Sequence, residues 1–131
     1  MTDAPNGPEG VVHRRSSRSV EDTVAALTEA IGVAGAKLFA VVDHSGEAAS
    51  VGLELRDTKL IIFGNPVGGT PVMVAAPTAA LDLPLKILVW ADDQARTWMS
   101  YLSPEWLGRR HGIREDLLGL LAAVDALTAR I

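Results

Sequence analysis

The sequence predicts a two-layer α+β fold, with helices packed on one face of a mixed, largely antiparallel sheet of about five or six strands. Three observations carry that expectation. Short apolar runs of strand character recur at residues 37–43, 51–55, 60–63, 86–91 and 96–102, several of them spaced as hairpins. Helical periodicity falls between some of these runs and not after each one, which argues against a strict βαβ series. The stretch 58–90, TKLIIFGNPVGGTPVMVAAPTAALDLPLKILVW, reads as strand, glycine-rich turn, helix, tight turn and second strand.

Taken in order, residues 1–10 contain two Pro, two Gly and two acids and read as a disordered leader, leaving residues 11–131 as one domain. Residues 11–16 predict a weak first strand, placed at an edge by Arg14 and Arg15. Ser19 caps a helix on which Val20, Val24, Leu27 and Ile31 form the apolar stripe; Glu21 and Asp22 suit its first turn, and Gly32 and Gly35 end it. Residues 37–43 are apolar on both faces and predict a central strand. One helical turn is expected at residues 47–51, then a hairpin of 51–55 with 60–63.

Thr70-Pro71 predicts a helix start, because proline at the first helical position lacks only an N–H that would be orphaned anyway. Pro77 must kink or split that helix. Residues 86–91 and 96–102 form a hairpin if residues 92–95 make a four-residue loop. That register puts Lys86, Leu88, Trp90, Thr97, Met99 and Tyr101 on one face. Ser103-Pro104 starts another helix, ending near His111-Gly112, and a last one runs from about Arg114 with Leu117, Leu118, Leu121, Val124 and Leu127 on its stripe.

At 131 residues and 48% hydrophobic content, one domain can bury a core without metal or disulfide staples. The net charge is -4 and basic residues form no run longer than a pair, which excludes a nucleic-acid surface built on clustered positive charge. Zero cysteines exclude disulfides, thiolate chemistry and Cys-type metal sites. No stretch suits a membrane span and no signal segment opens the chain, so a cytoplasmic protein without membrane contact is expected.

The runs FGNP, GTP and AAPTAALDLPLKILVW, with Val42-Asp43-His44 and Gly52-Leu53-Glu54-Leu55-Arg56 upstream and Tyr101 downstream, resemble domain of unknown function family 302 over residues 16–112. The resemblance implies a compact α+β domain, often homodimeric, with no agreed activity.

Few residues point to chemistry. In GNPVGGT the positions where a phosphate loop needs Lys and Ser/Thr hold Thr70 and Pro71, so a nucleotide-triphosphate loop is rejected. A helix N-terminus at Thr70 still offers N–H groups to an anion, beside Asn65. Asp43-His44 marks a strand end, where an imidazole with an acid neighbour suits proton transfer. Lys86 can meet an anion, and Trp90 and Tyr101 can line a pocket. For each there is a structural reading as well: turn, cap, surface or core. No metal site or cofactor is expected.

The first functional expectation is a homodimeric domain binding a small organic anion or planar apolar ligand through Asn65, Thr70, Lys86, Trp90 and Tyr101. The second is a cofactor-free enzyme moving a proton with His44 and Asp43, of isomerase, cyclase or lyase type. The third is a dimerisation module with no ligand. Convergence of His44, Asn65 and Thr70 requires their strands to end at the same side of the sheet.

Overall fold

The computed structural model describes residue 5 and residues 7–131. The leader expected over residues 1–10 lies partly outside the described residues. A five-stranded sheet runs in the order β1-β5-β4-β3-β2. Its strands are β1 at Val11–Ser16, β2 at Lys37–Asp43, β3 at Thr58–Gly64, β4 at Leu85–Ala91 and β5 at Thr97–Leu102. Every pairing is antiparallel, so the α+β class holds while the sheet is not mixed.

The helices are α1 at Val20–Val33, α2 at His44–Ser50, α3 at Pro66–Ala75, α4 at Pro104–His111, α5 at Glu115–Leu118 and α6 at Ala123–Ala129, with 3-10 turns at Pro77–Leu81 and Gly119–Leu121. Helices α1 and α6 set Leu27, Ile31, Val124 and Leu127 against Ile61, Phe63, Ile87, Val89 and Met99 of the sheet. Full burial of such a side chain stabilises by roughly 1.5–3 kcal/mol. A second cluster joins α3, the first 3-10 turn and α4 through Val72, Ala76, Ala79 and Leu107, and Leu85 packs against both clusters.

Local signals place several elements as expected. Ser19 accepts from the Asp22 amide at 3.0 Å and Ser103 from the Trp106 amide at 3.2 Å, each capping its helix. Gly112 ends α4 at φ 65°, a left-handed position glycine adopts without strain. Pro77 splits the third helix, opening a separate 3-10 turn.

Other expectations are corrected. Strand β2 lies at the sheet edge, not its centre; Leu38, Phe39 and Val41 are 41%, 48% and 39% exposed. Apolar residues on both faces normally signal burial on both, and here they mark an uncovered edge. The hairpin of 51–55 with 60–63 does not form: α2 occupies residues 44–50, a loop follows, and β3 pairs with β2 and β4. The helix expected at Thr70 begins one turn earlier, where Asn65 Oδ1 accepts from the Val67 amide at 3.0 Å and Pro66 takes the first helical position. Cap and proline occur in both places; Thr70 and Pro71 lie inside the helix.

The β4–β5 loop spans residues 92–96, one longer than expected, because the Asp92 carboxylate gathers the amides of Gln94 and Arg96 and the Trp98 indole, each at 2.9 Å. The register is therefore Ala91↔Thr97 and Trp90↔Trp98, and Tyr101 stands on the face opposite Trp90.

Asn65→Ala is expected to lower the unfolding free energy by about 1 kcal/mol, the usual worth of a cap. Thr70→Ala should leave it within about 0.5 kcal/mol. Urea denaturation reads both, and the reverse ranking would return the cap to Thr70.

Candidate functional site

Strands β4 and β5 pair from Ala91↔Thr97 to Leu88↔Ser100 and no further. Beyond that point they part, while β3 continues to pair with β4 as far as Leu85 and β1 with β5 as far as Leu102. The gap is a cavity of about 230 Å³, walled by Val11, Leu60, Leu88, Leu102 and Leu107. Its polar residues are Asp82, Lys86, Ser100 and Tyr101.

Lys86 stands at the start of β4. Its ammonium donates to the carbonyls of Asp82 at 3.2 Å and Pro84 at 3.0 Å. An ammonium carries three N–H groups, so one remains for a ligand. Burial pulls its pKa below the ordinary lysine value, opposed by the charge of Asp82. Tyr101 donates to the Asp125 carboxylate at 2.5 Å and accepts from Arg14 Nε at 3.0 Å. Burial, then the Asp125 bond, push its pKa up, so the phenol stays neutral.

Beside the cavity lies a group that residue spacing does not reveal. His111 Nε2 is 2.5 Å from Asp82 Oδ2, and Arg110 Nε meets the same oxygen at 3.1 Å. The other imidazole nitrogen, Nδ1, is 3.0 Å from the Thr78 hydroxyl. The His111 side chain is 4% exposed and that of Asp82 21%. These partners are 29 and 33 residues from His111 in sequence. No short motif joins them, and in the sequence Asp82 is legible only as a break in an apolar stretch.

Trp90 and Ser100 belong to a neighbouring polar knot. The indole donates to Ser100 Oγ at 2.9 Å, and His13 Nδ1 lies 2.6 Å from the same oxygen. His13 Nε2 is buried with no hydrogen-bond partner among the described residues, and burial lowers the His13 pKa. Trp90 does not line the cavity.

The remaining sequence candidates stand elsewhere. Asp43 caps α2, accepting from the Gly46 amide at 2.9 Å and the Ser45 hydroxyl at 2.7 Å; the first of these, then the second, lower its pKa. His44 is an exposed first residue of α2. Because β2 and β3 are antiparallel, Asp43 faces Lys59 at one end and Lys37 faces Gly64 at the other, so His44 and Asn65 do not converge. Asn65 and Thr70 line a separate groove with Phe39, Met73 and Pro84. No cluster of His, Asp and Glu suited to a metal occurs among the described residues. Among them, too, no helix is long and apolar enough to cross a membrane.

An open antiparallel sheet with helices packed against it, parted between two central strands, defines a small α+β domain. A family model, "Domain of unknown function DUF302", matches residues 12–131, and the chain belongs to that family. The crystal structure of an uncharacterized conserved protein DUF302 from Bacillus stearothermophilus shares the fold, with a TM-score of 0.78 at 16% identity over 94% of this chain and 95% of that one. The chain is also similar to part of the fluoride-specific ion channel FluC 1 of Brucella suis biovar 1, 38% identical over 104 residues, which is 79% of this chain and 41% of the relative. FluC 2 of Brucella melitensis biotype 1 shows the same identity over 38% of its length. The chain thus spans about two-fifths of the curated relatives it matches.

Proposed function

We propose that the chain is a binding domain for a small organic acid, whose apolar body fills the cavity between β4 and β5 and whose anionic group meets Lys86. The observation that carries this reading is the Lys86 ammonium beside a largely apolar cavity, with two N–H groups held by carbonyls and a third left over. A cavity of about 150 Å³ admits benzene. The space here, about 230 Å³, suits a ring with a short carboxylate arm.

Isothermal titration with phenylacetate, benzoate and benzyl alcohol tests the reading. The carboxylates should bind more tightly than the alcohol, and Lys86→Met should weaken them at least about tenfold, the worth of one charge-assisted hydrogen bond. Equal affinity in the Lys86→Met variant would remove Lys86 from the site.

The same reading takes the protein as a homodimer, assembled through the uncovered edge of β2. Antiparallel pairing of two β2 strands about a two-fold axis at Ala40 sets Lys37 opposite Asp43, a self-complementary arrangement. The exposed Leu38, Phe39 and Val41 supply its apolar surface. A ligand-free dimerisation module would keep this edge and bind none of the acids.

A second reading rests on the channel relatives, in which a segment similar to this chain is part of a longer protein. On that reading the domain is an accessory to a fluoride channel. Deleting the matching segment from a relative should then change fluoride efflux from proteoliposomes; unchanged efflux would remove this reading.

A further inference from the structure

Resting on the ligand reading above, we propose that Asp82 is a general base acting on an enolisable carbonyl compound in the cavity, with His111 and Thr78 as its positioning residues. Enolisation needs a base at a C–H bond and a cation at the neighbouring oxygen. Asp82 and Lys86 are both residues of this cavity's lining, and the Lys86 ammonium donates to the backbone carbonyl of Asp82 at 3.2 Å.

The carboxylate is held in a way that leaves it half free. Its Oδ2 takes both His111 and Arg110, whereas Oδ1 takes no hydrogen bond among the described residues. His111 is nearly enclosed and has both ring nitrogens engaged. In the neutral ring the Thr78 hydroxyl donates to Nδ1, which places the ring proton on Nε2, facing Asp82. That proton fixes the orientation of the carboxylate. Three separate segments meet to build this line: the 3-10 turn with Thr78, α4 with His111, and the turn before β4 with Asp82.

The step balances without a cofactor. Asp82 Oδ1 takes a proton from the carbon next to a ketone, and the C–H electron pair becomes a C=C bond. The carbonyl pair moves onto oxygen, and the third N–H of Lys86 is shared between that enolate oxygen and the neighbouring carboxylate of an α-keto acid. Asp82, partly exposed, exchanges its new proton with solvent and returns one to the same carbon, or the enolate oxygen is protonated to give the enol. The outcome is tautomerisation, with nothing oxidised or reduced.

Phenylpyruvate, a ring carrying an α-keto acid, is the probe. In deuterium oxide, proton NMR follows loss of its methylene signal while titration of the protein's amide shifts gives the affinity. The native protein is expected to accelerate exchange over buffer. Asp82→Asn should cut that acceleration at least about a hundredfold with affinity held within about threefold. His111→Gln should slow exchange with affinity likewise held, a split that a tie between α4 and the 3-10 turn would not produce. If Asp82→Asn fails to fold, Thr78→Val at its exposed position removes only the hydroxyl and should slow exchange severalfold; an unchanged rate in that variant overturns the relay. Binding without accelerated exchange, or full exchange in Asp82→Asn, overturns the base and leaves the ligand reading intact. Absence of binding overturns both.

Discussion

Val41→Lys is expected to convert the proposed dimer to a monomer at micromolar concentration, as read by sedimentation velocity. Val41 lies in an edge strand and is 39% exposed, so the substitution should change the stability of the subunit by no more than about 0.5 kcal/mol. A lysine on a sheet edge opposes pairing with a second edge, because its charge loses water when another strand approaches. With the pairing centred at Ala40, residue 41 faces residue 39 of the other strand, so each copy would set a charge against Phe39. A native protein that sediments as a monomer would end the dimer proposal. A Val41→Lys variant that stays dimeric would move the interface away from β2.

Phe63→Ala is expected to destabilise the fold by about 3–5 kcal/mol, a large part of the roughly 5–15 kcal/mol that holds a typical domain together. Phe63 is fully buried, pairs with Leu38 on one side and Leu85 on the other, and belongs to the cluster under α1 and α6. Its removal leaves a void between sheet and helices that neighbouring side chains fill only in part. A shift in urea midpoint equivalent to less than about 1 kcal/mol would mean that the site collapses around the void. Because Phe63 does not line the Lys86 cavity, the residual folded protein should still bind acids.

These predictions rest on features of different legibility. Ser19, Ser103 and Gly112 act at the positions their residue types announce, since a cap is a bond between neighbours a few residues apart. The third helix shows the limit of that logic. Asn65-Pro66 and Thr70-Pro71 carry the same local signal, yet the cap is made by Asn65 while Thr70 and Pro71 lie inside the helix. Of Trp90 and Tyr101, both read as able to line a pocket, Tyr101 lines the cavity, as does Lys86, and Trp90, on the opposite face, does not.

The sequence by itself determined the α+β class, the ends of α1 and α4 and the apolar stripe of α1, because each follows from periodicity or a short-range hydrogen bond, whereas the last helix, expected unbroken from about Arg114, is divided into α5, a 3-10 turn and α6. Only the tertiary structure decided that β2 is an edge, that the β4–β5 loop takes a fifth residue, and that His111 meets Asp82. Strand order is set by which surfaces best cover one another across the whole chain, and two apolar faces look the same at an edge as at a centre. Register carries a side-chain period of two, so the single extra residue held by Asp92 was enough to change which residues share a face. The His111–Asp82 bond joins residues 29 apart, and nothing in their local sequence states that the intervening strands bring them together.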